Sequence, residues 1–88
     1  MLSKQLLRSG TSIGANIKEA LQGQSRKDFV AKMSIALKEA VESEYWLELL
    51  YKTNYLSADS FNVFINNIRE IIKLLSSIVK TTKTSINN

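Results

Sequence analysis

The side chains of this sequence that could do chemistry are carboxylates, hydroxyls and basic groups, because the chain contains neither histidine nor cysteine. Histidine is the commonest general base, and histidine and cysteine are frequent metal ligands. Disulfides are excluded as well. The sequence has no glycine-rich phosphate loop, no nucleophile motif and no pair of acids that would share a cleft. We therefore predict a protein that is not an enzyme and that uses no cofactor and no metal.

A line of polar residues follows the predicted first helix. Arg8, Ser12, Asn16 and Glu19 recur at three- and four-residue spacing, which places them along one flank of the apolar face. Such a line is typical either of a binding strip or of a polar network satisfied inside an oligomer. The alternative is a flank that only contacts solvent.

Glu44 is unusual because its helical phase places it on an apolar stripe that includes Leu47 and Tyr51. A carboxylate on such a stripe needs a partner, since an unpaired buried charge is costly. An antiparallel hairpin centred near residue 24 brings Arg8 within one turn of Glu44. We expect an Arg8–Glu44 ion pair with a structural role, in preference to a catalytic carboxylate. The predicted structural polar network therefore contains Arg8, Ser12, Asn16, Glu19 and Glu44.

Two further sets of residues indicate intermolecular surfaces. Ile35, Trp46 and Leu49 lie opposite the main apolar stripe of the predicted second helix, which favours an oligomer interface over scattered surface hydrophobes. A cluster of bases is expected at one end of the bundle, where it could hold phosphates, although a solvated basic end is the alternative. The predicted nucleic-acid-binding residues are Lys18, Arg26, Lys27, Lys80 and Lys83. The opposite half carries acidic residues, namely Glu39, Glu42, Glu44 and Glu48.

The elements that must position these residues are three helices. The chain has 88 residues, a hydrophobic fraction of 44%, no proline and three glycines, which disfavours turn-rich β architectures. Apolar periodicity predicts helices over about 2–22, 26–54 and 58–82, with a frayed tail at 83–88. Ser25 and Ser57 are the expected N-caps, and Gly23 suits a left-handed C-terminal cap.

The predicted fold is an all-α, up-and-down antiparallel bundle that forms a single domain over residues 1–88. The second helix alone would be about 44 Å long, so the molecule should be elongated. The apolar faces are wide enough for a fourth helix. No apolar run suggests a signal peptide or a membrane span, and we expect a cytoplasmic protein.

The most distinctive string in the sequence is the segment of residues 8–19, RSGTSIGANIKE. It resembles the RSxTSIGANIxE segment of the four-helix bundle proteins encoded in intervening sequences of bacterial large-subunit ribosomal RNA, also called the S23 ribosomal protein family. The similarity continues through Ser25–Phe29, Ser34–Leu37, Glu42, Glu44, and Tyr55 with Leu56. The family has a helix before the Arg-Ser string, and because this sequence starts almost on that string we expect the family's first helix to be missing. The family usually has glycine where this chain has Ala20.

The resemblance implies a non-enzymatic helical protein that forms rings, typically pentamers, and associates with nucleic acid. A relative serves as the accessory subunit of reverse transcriptases in diversity-generating retroelements. We therefore expect an oligomer that contacts RNA or DNA through the basic pole. The alternative function is a structural adaptor for a protein partner, such as a reverse transcriptase or another polymerase.

Assembly is expected through one of two surfaces. One is the face of Ile35, Trp46 and Leu49, and the other is an open groove lined by Leu2, Ile13, Ile17 and parts of the third helix. A pentamer follows from the resemblance, and a dimer that shares helices across the groove is the competing arrangement.

Overall fold

Three α-helices build the computed structural model, which describes residues 2–23 and 25–87. Helix α1 spans Leu2–Leu21, α2 spans Arg26–Lys52 and α3 spans Ala58–Asn87. These described ranges contain no strand, which confirms the predicted all-helical class. Short connections turn the chain back after α1 and again after α2, so consecutive helices run antiparallel.

Serine side chains fix the starts of α2 and α3. The Ser25 hydroxyl accepts a hydrogen bond from the backbone N–H of Asp28 at 3.1 Å. The Ser57 hydroxyl accepts one from the N–H of Ser60, also at 3.1 Å. Each bond satisfies a backbone donor that the first helical turn leaves without a partner. Both predicted N-caps are therefore confirmed.

The ends of the helices depart from prediction in two places. Helix α2 ends at Lys52 and not near residue 54, because Asn54 adopts a positive φ of 66° and the N–H of Tyr55 donates back to the carbonyl of Leu50. No described glycine has a positive φ, so the expected left-handed conformation of Gly23 is wrong. A Cβ at Gly23 would lie 3.2 Å from the carbonyl oxygen of Ala20, and this close approach explains the glycine.

The prediction of a frayed tail is also wrong, because α3 continues through Asn87. The last turns contain neither glycine nor proline, and threonine hydroxyls there donate to carbonyls four residues earlier, at 2.7 Å for Thr82 and 3.0 Å for Thr84. The guanidinium of Arg26 in α2 donates to the Ser85 hydroxyl at 2.6 Å and ties this end to the bundle. Asn88 lies outside the described residues.

Helix α2 is the centre of the molecule. It packs against α1 on one side and α3 on the other, whereas no packing between α1 and α3 occurs within the described residues. The buried core follows from this arrangement and is contributed by all three helices. It contains Ile13, Ala20, Met33, Ala36, Ala40, Leu47, Ile65, Ile68, Leu75 and Val79. Helices α1 and α3 therefore flank α2 without packing against each other.

The shape of the molecule matches the expectation of an elongated bundle. Its principal extents are 47 × 20 × 14 Å and its radius of gyration is 14.4 Å. A compact globule of this length would have a radius of gyration of about 12 Å. One end carries the turn after α1 together with the last turns of α3, so residues far apart in sequence meet there.

Candidate assembly and nucleic-acid surfaces

The polar line of α1 exists, but it forms separate contacts instead of one network. The Asn16 amide donates to the backbone carbonyl of Ser12 at 2.8 Å and to its hydroxyl at 3.2 Å. Glu19 forms an ion pair with Lys32 of α2 at 3.0 Å. The first contact lies within α1, so of these two only the ion pair joins α1 to α2.

The predicted pair between Arg8 and Glu44 is wrong within the chain. Arg8 lies 3.6 Å from the carboxylate of Glu42, while Glu44 accepts a hydrogen bond from Arg69 of α3 at 2.9 Å. The reason is the side of α2 on which each acid lies. Residues 42 and 44 are separated by 200° around a helix, so one faces the α1 flank and the other faces the α3 flank.

Arg69 is a partner that the sequence reasoning missed. Its guanidinium also contacts Glu48 at 3.4 Å, so it bridges two acids spaced one turn apart on α2. The hydrogen bond to Glu44 raises the pKa of Arg69 above its ordinary value. The signal in the sequence was the Glu44/Glu48 pair itself, because two acids at i and i+4 on one flank favour a base on the adjacent helix.

A small buried residue of α1 was also missed. Ser9 is fully buried, as are Ala36 and Ala40, which belong to the predicted apolar stripe of the second helix. Side chains of this size let two helix backbones approach closely, because interaxial distance depends on the residues at the contact. The Ser9 hydroxyl and one carboxylate oxygen of Glu39 are buried without a hydrogen-bond partner among the described residues. One buried polar atom of α1 and one of α2 therefore lack a hydrogen bond within the described residues.

The face predicted from Ile35, Trp46 and Leu49 is less exposed than the sequence suggested. Only Ile35 is classed as exposed, with 42% of its surface accessible, and the other two are half-buried. The indole N–H of Trp46 donates to Glu42 at 3.4 Å, and its ring meets the edge of Tyr45 at a centroid distance of 5.0 Å. These local contacts cover part of the tryptophan, and its role in assembly stays a prediction.

A large apolar groove lies between α1 and α3, over the second half of α2. Its volume is about 640 Å³, and the residues that line it are all uncharged. Of the predicted lining residues, Ile13 is present, whereas Ile17 packs against the core and the side chain of Leu2 lies outside the described residues. Leu7 and Phe64 stand on opposite walls and remain 71% and 48% exposed.

Two glycines of α1 open onto this groove. A Cβ built at Gly10 or at Gly14 would meet no atom within 4 Å in the described chain. No other backbone of the described chain therefore comes close to either glycine. The two glycines leave a shallow channel on the α1 wall that another helix could enter.

The predicted basic residues lie at one pole of the molecule. All five are exposed, and none forms an ion pair with a residue that the structure describes. Residues 18–32 and 80–83 hold six of the twelve basic and two of the eight acidic residues of the chain. The formal charge of this basic pole is therefore +4, equal to that of the whole chain. The rest of the molecule is neutral, with Arg8 and Arg69 paired to the acids of α2.

A shallow depression of about 370 Å³ adjoins the basic pole. It is lined by the end of α1 and the start of α2, including Ser25, Arg26 and Phe29. The hydrogen bond from Arg26 to Ser85 fixes one edge of this surface. The N-terminus of α2 points toward it, and the positive end of a helix dipole favours anions.

Two further observations concern all the residues that the structure describes. No group of three His, Cys, Asp or Glu side chains with metal-binding geometry occurs among the described residues. None of the three helices, over the ranges described, is both long and apolar enough to cross a membrane. The expectations of a non-enzymatic role and a cytoplasmic location stay predictions.

Comparisons with known proteins agree on one family. The sequence model of the family described as 23S rRNA-intervening sequence protein matches residues 1–77. A crystal structure of a protein with unknown function from the S23 ribosomal protein family, from Bacteroides thetaiotaomicron VPI-5482, is 60% identical and superposes with a TM-score of 0.88. The match covers 91% of this chain and 71% of that protein. No curated protein sequence matches the chain.

Proposed function

The chain belongs to the 23S rRNA-intervening sequence protein family, and from that premise we propose that it is a non-enzymatic binding protein that holds RNA or DNA at its basic pole. It acts as an assembly of several copies. The observation that carries this proposal is the separation of charge. The entire formal charge of +4 lies at one end of a molecule that is 47 Å long.

The state of the individual charges supports a binding role for this pole. Arg8 and Arg69 contact carboxylates of α2, so their charge is partly neutralised within the chain. Arg26, Lys27 and Lys80 are exposed and have no acidic partner among the described residues. Unpaired surface cations attract phosphates by releasing the counterions that condense on nucleic acid.

The shape of the pole favours contacts to the backbone of nucleic acid over the reading of bases. Phe29 is half-buried and packs against the core, and the two tyrosines of α2 lie away from this pole. A stacking platform for single-stranded bases would need exposed aromatic rings next to the cations. We therefore expect affinity that depends strongly on salt and weakly on sequence.

The experiment is a titration of fluorescently labelled RNA and DNA with the purified protein over a range of salt concentrations. If all five cations contact phosphates, the slope of log K against log salt should be about −3.5 for single strands and about −4.5 for duplex DNA. A triple variant with Arg26→Glu, Lys27→Glu and Lys80→Glu should lose retention. Its helicity by circular dichroism should be unchanged, because the three side chains are exposed.

The matched control reverses three exposed lysines away from the basic pole, with Lys4→Glu, Lys52→Glu and Lys73→Glu. It changes the net charge by the same amount, so it should weaken binding only through the general field of the protein. Equal loss in both triple variants would contradict a localised site. Absence of any binding by the wild type at low salt would overturn the proposal.

The alternative function is a structural adaptor that binds a protein partner, such as a reverse transcriptase or another polymerase, with the nucleic acid held by that partner. The observation in its favour is the outward face of α2, where Val41 and Tyr45 are 48% and 56% exposed. Exposed apolar residues of this kind are typical of protein contacts. The adaptor function becomes the leading one if the purified protein binds no nucleic acid by itself.

A further inference from the structure

The cations of the basic pole come from two distant parts of the sequence. One group lies where α1 ends and α2 begins, and the other group, Lys80 and Lys83, lies near the end of α3. A hydrogen bond between side chains joins the two parts, because Nη1 of Arg26 donates to the hydroxyl oxygen of Ser85 at 2.6 Å. Ser85 therefore connects the two groups of cations, although it carries no charge itself.

The end of α3 has few other contacts that would hold it in place. Val79 is the last buried residue of this helix over the part whose side chains are described. Between residues 80 and 85 only Thr82 is half-buried, and the others are exposed. Helix ends that lack buried contacts tend to fray. The hydrogen bond from Arg26 is therefore the described side-chain contact that fixes this end of α3 relative to α2.

The same hydrogen bond leaves one edge of the Arg26 guanidinium open. A guanidinium presents its N–H donors in a planar fork, and the bond to Ser85 uses a donor on Nη1. The donors on Nε and Nη2 have no partner among the described residues. These two donors are parallel, which is the geometry that binds two oxygens of one phosphate. The Ser85 hydroxyl accepts in this contact, so its own proton can be donated to a phosphate as well.

Arg26 differs in its partner from the other two arginines of the chain. Arg8 and Arg69 each contact a carboxylate of α2, which offsets their charge. Arg26 contacts a neutral hydroxyl, which orients the guanidinium and leaves its positive charge intact. A long side chain that is already held in place loses less conformational freedom when a ligand binds. The contact with Ser85 therefore prepares Arg26 for an anion.

We propose that Arg26 and Ser85 form a phosphate-binding pair, in which Ser85 orients the guanidinium so that Nε and Nη2 hold one phosphodiester of a nucleic acid. The pair also fixes Lys83, two residues before Ser85, beside the start of α2. This inference rests on the proposed function and adds Ser85 to the residues of the basic pole. Because the contact joins α2 to α3, the phosphate site exists only in the folded chain.

The first test is a titration of labelled single-stranded RNA over a range of salt concentrations. Ser85→Ala should bind more weakly than the wild type, and its slope of log K against log salt should be less negative by about 0.7, the value for one phosphate contact. Ser85→Thr keeps a hydroxyl and should restore the wild-type affinity and slope. The matched control is Thr84→Ala, which deletes the neighbouring exposed hydroxyl that donates to the carbonyl of Lys80 at 3.0 Å. This control should bind as the wild type does.

The second test needs no nucleic acid and measures amide hydrogen exchange in the residues of α3 that follow Val79. Exchange there should be faster in Ser85→Ala and in Arg26→Ala, because each variant removes one partner of the contact. The double variant should exchange no faster than either single variant, since both substitutions delete the same hydrogen bond. Thr84→Ala should leave exchange close to that of the wild type.

The outcomes separate this inference from the proposed function. A wild type that binds no nucleic acid would overturn both. Binding by the wild type with an unchanged salt slope in Ser85→Ala would overturn only the phosphate-binding pair. An equal loss of binding in Thr84→Ala or in Ser85→Thr would also overturn the pair, because the effect would then come from the helix end in general and not from the Ser85 hydroxyl. Unchanged exchange in Ser85→Ala would show that the contact does not hold α3 and would likewise overturn it.

Discussion

The two sides of α1 carry small residues for different reasons. On the side toward α2, Ser9 and Ala20 are almost fully buried, and the helices meet at close range. On the side toward the groove, Gly10 and Gly14 face open space. The sequence shows small residues on both sides, so it does not by itself distinguish those that are buried within the chain from those that are exposed. The comparison shows that a small residue stabilises the folded chain where it is buried against another helix, and that its size alone does not reveal this role.

The largest expected effect comes from enlarging a residue on each side. Ala20→Leu adds bulk at a position of α1 that is only 2% exposed, on the side toward α2, and overpacking should lower the free energy of unfolding by about 3 kcal/mol. Gly14→Leu adds bulk where no atom lies within 4 Å and should not destabilise the single chain. Urea unfolding at low protein concentration measures both. Equal losses would show that the two sides do not differ.

A smaller change in the free energy of unfolding is expected from two substitutions by alanine, one on each side of α1. Ser9→Ala deletes a buried hydroxyl that has no described partner and should raise the free energy of unfolding by about 1 kcal/mol. Gly14→Ala should raise it by a similar amount, because alanine is the better helix former by about 1 kcal/mol. Gly23→Ala is the control, since its Cβ would crowd the carbonyl of Ala20 at 3.2 Å and should destabilise. A loss of stability in Ser9→Ala would point to a partner for the hydroxyl, such as a bound water.

The fold was largely predictable because its signals are local. Helix starts depended on Ser25 and Ser57, whose hydroxyls reach backbone N–H groups three residues later. The end of α3 was not predictable from periodicity, because its extension involves a contact between Arg26 and Ser85, which are 59 residues apart in sequence. Gly23 was misassigned because a close approach and a left-handed turn both favour glycine.

The candidate surfaces were predictable in part. The basic pole follows from charge and hairpin topology, which the sequence contains, and its five residues do lie exposed at one end. The ion pairs were not predictable, because the acid that pairs with Arg8, Glu42 or Glu44, depends on which flank of α2 each neighbouring helix occupies. Helical phase gives the angle between two residues, but it does not say on which side α1 packs.

The smallest expected effect on stability comes from removing the ion pairs that join α2 to α3 and to α1. Arg69→Gln removes the bridge to Glu44 and Glu48 between α2 and α3, whereas Arg8→Gln removes a longer pair to Glu42 between α1 and α2. Exposed ion pairs stabilise a fold only weakly, so both losses should be small, and Arg69→Gln should lower the unfolding midpoint more than Arg8→Gln does. The loss at Arg69 should fade as salt is raised, because screening weakens the wild-type pair. Thermal unfolding of both variants at low and high salt measures the difference. If Arg8→Gln proved the more damaging of the two, the α1–α2 contact would depend on charge as well as on close packing of small side chains.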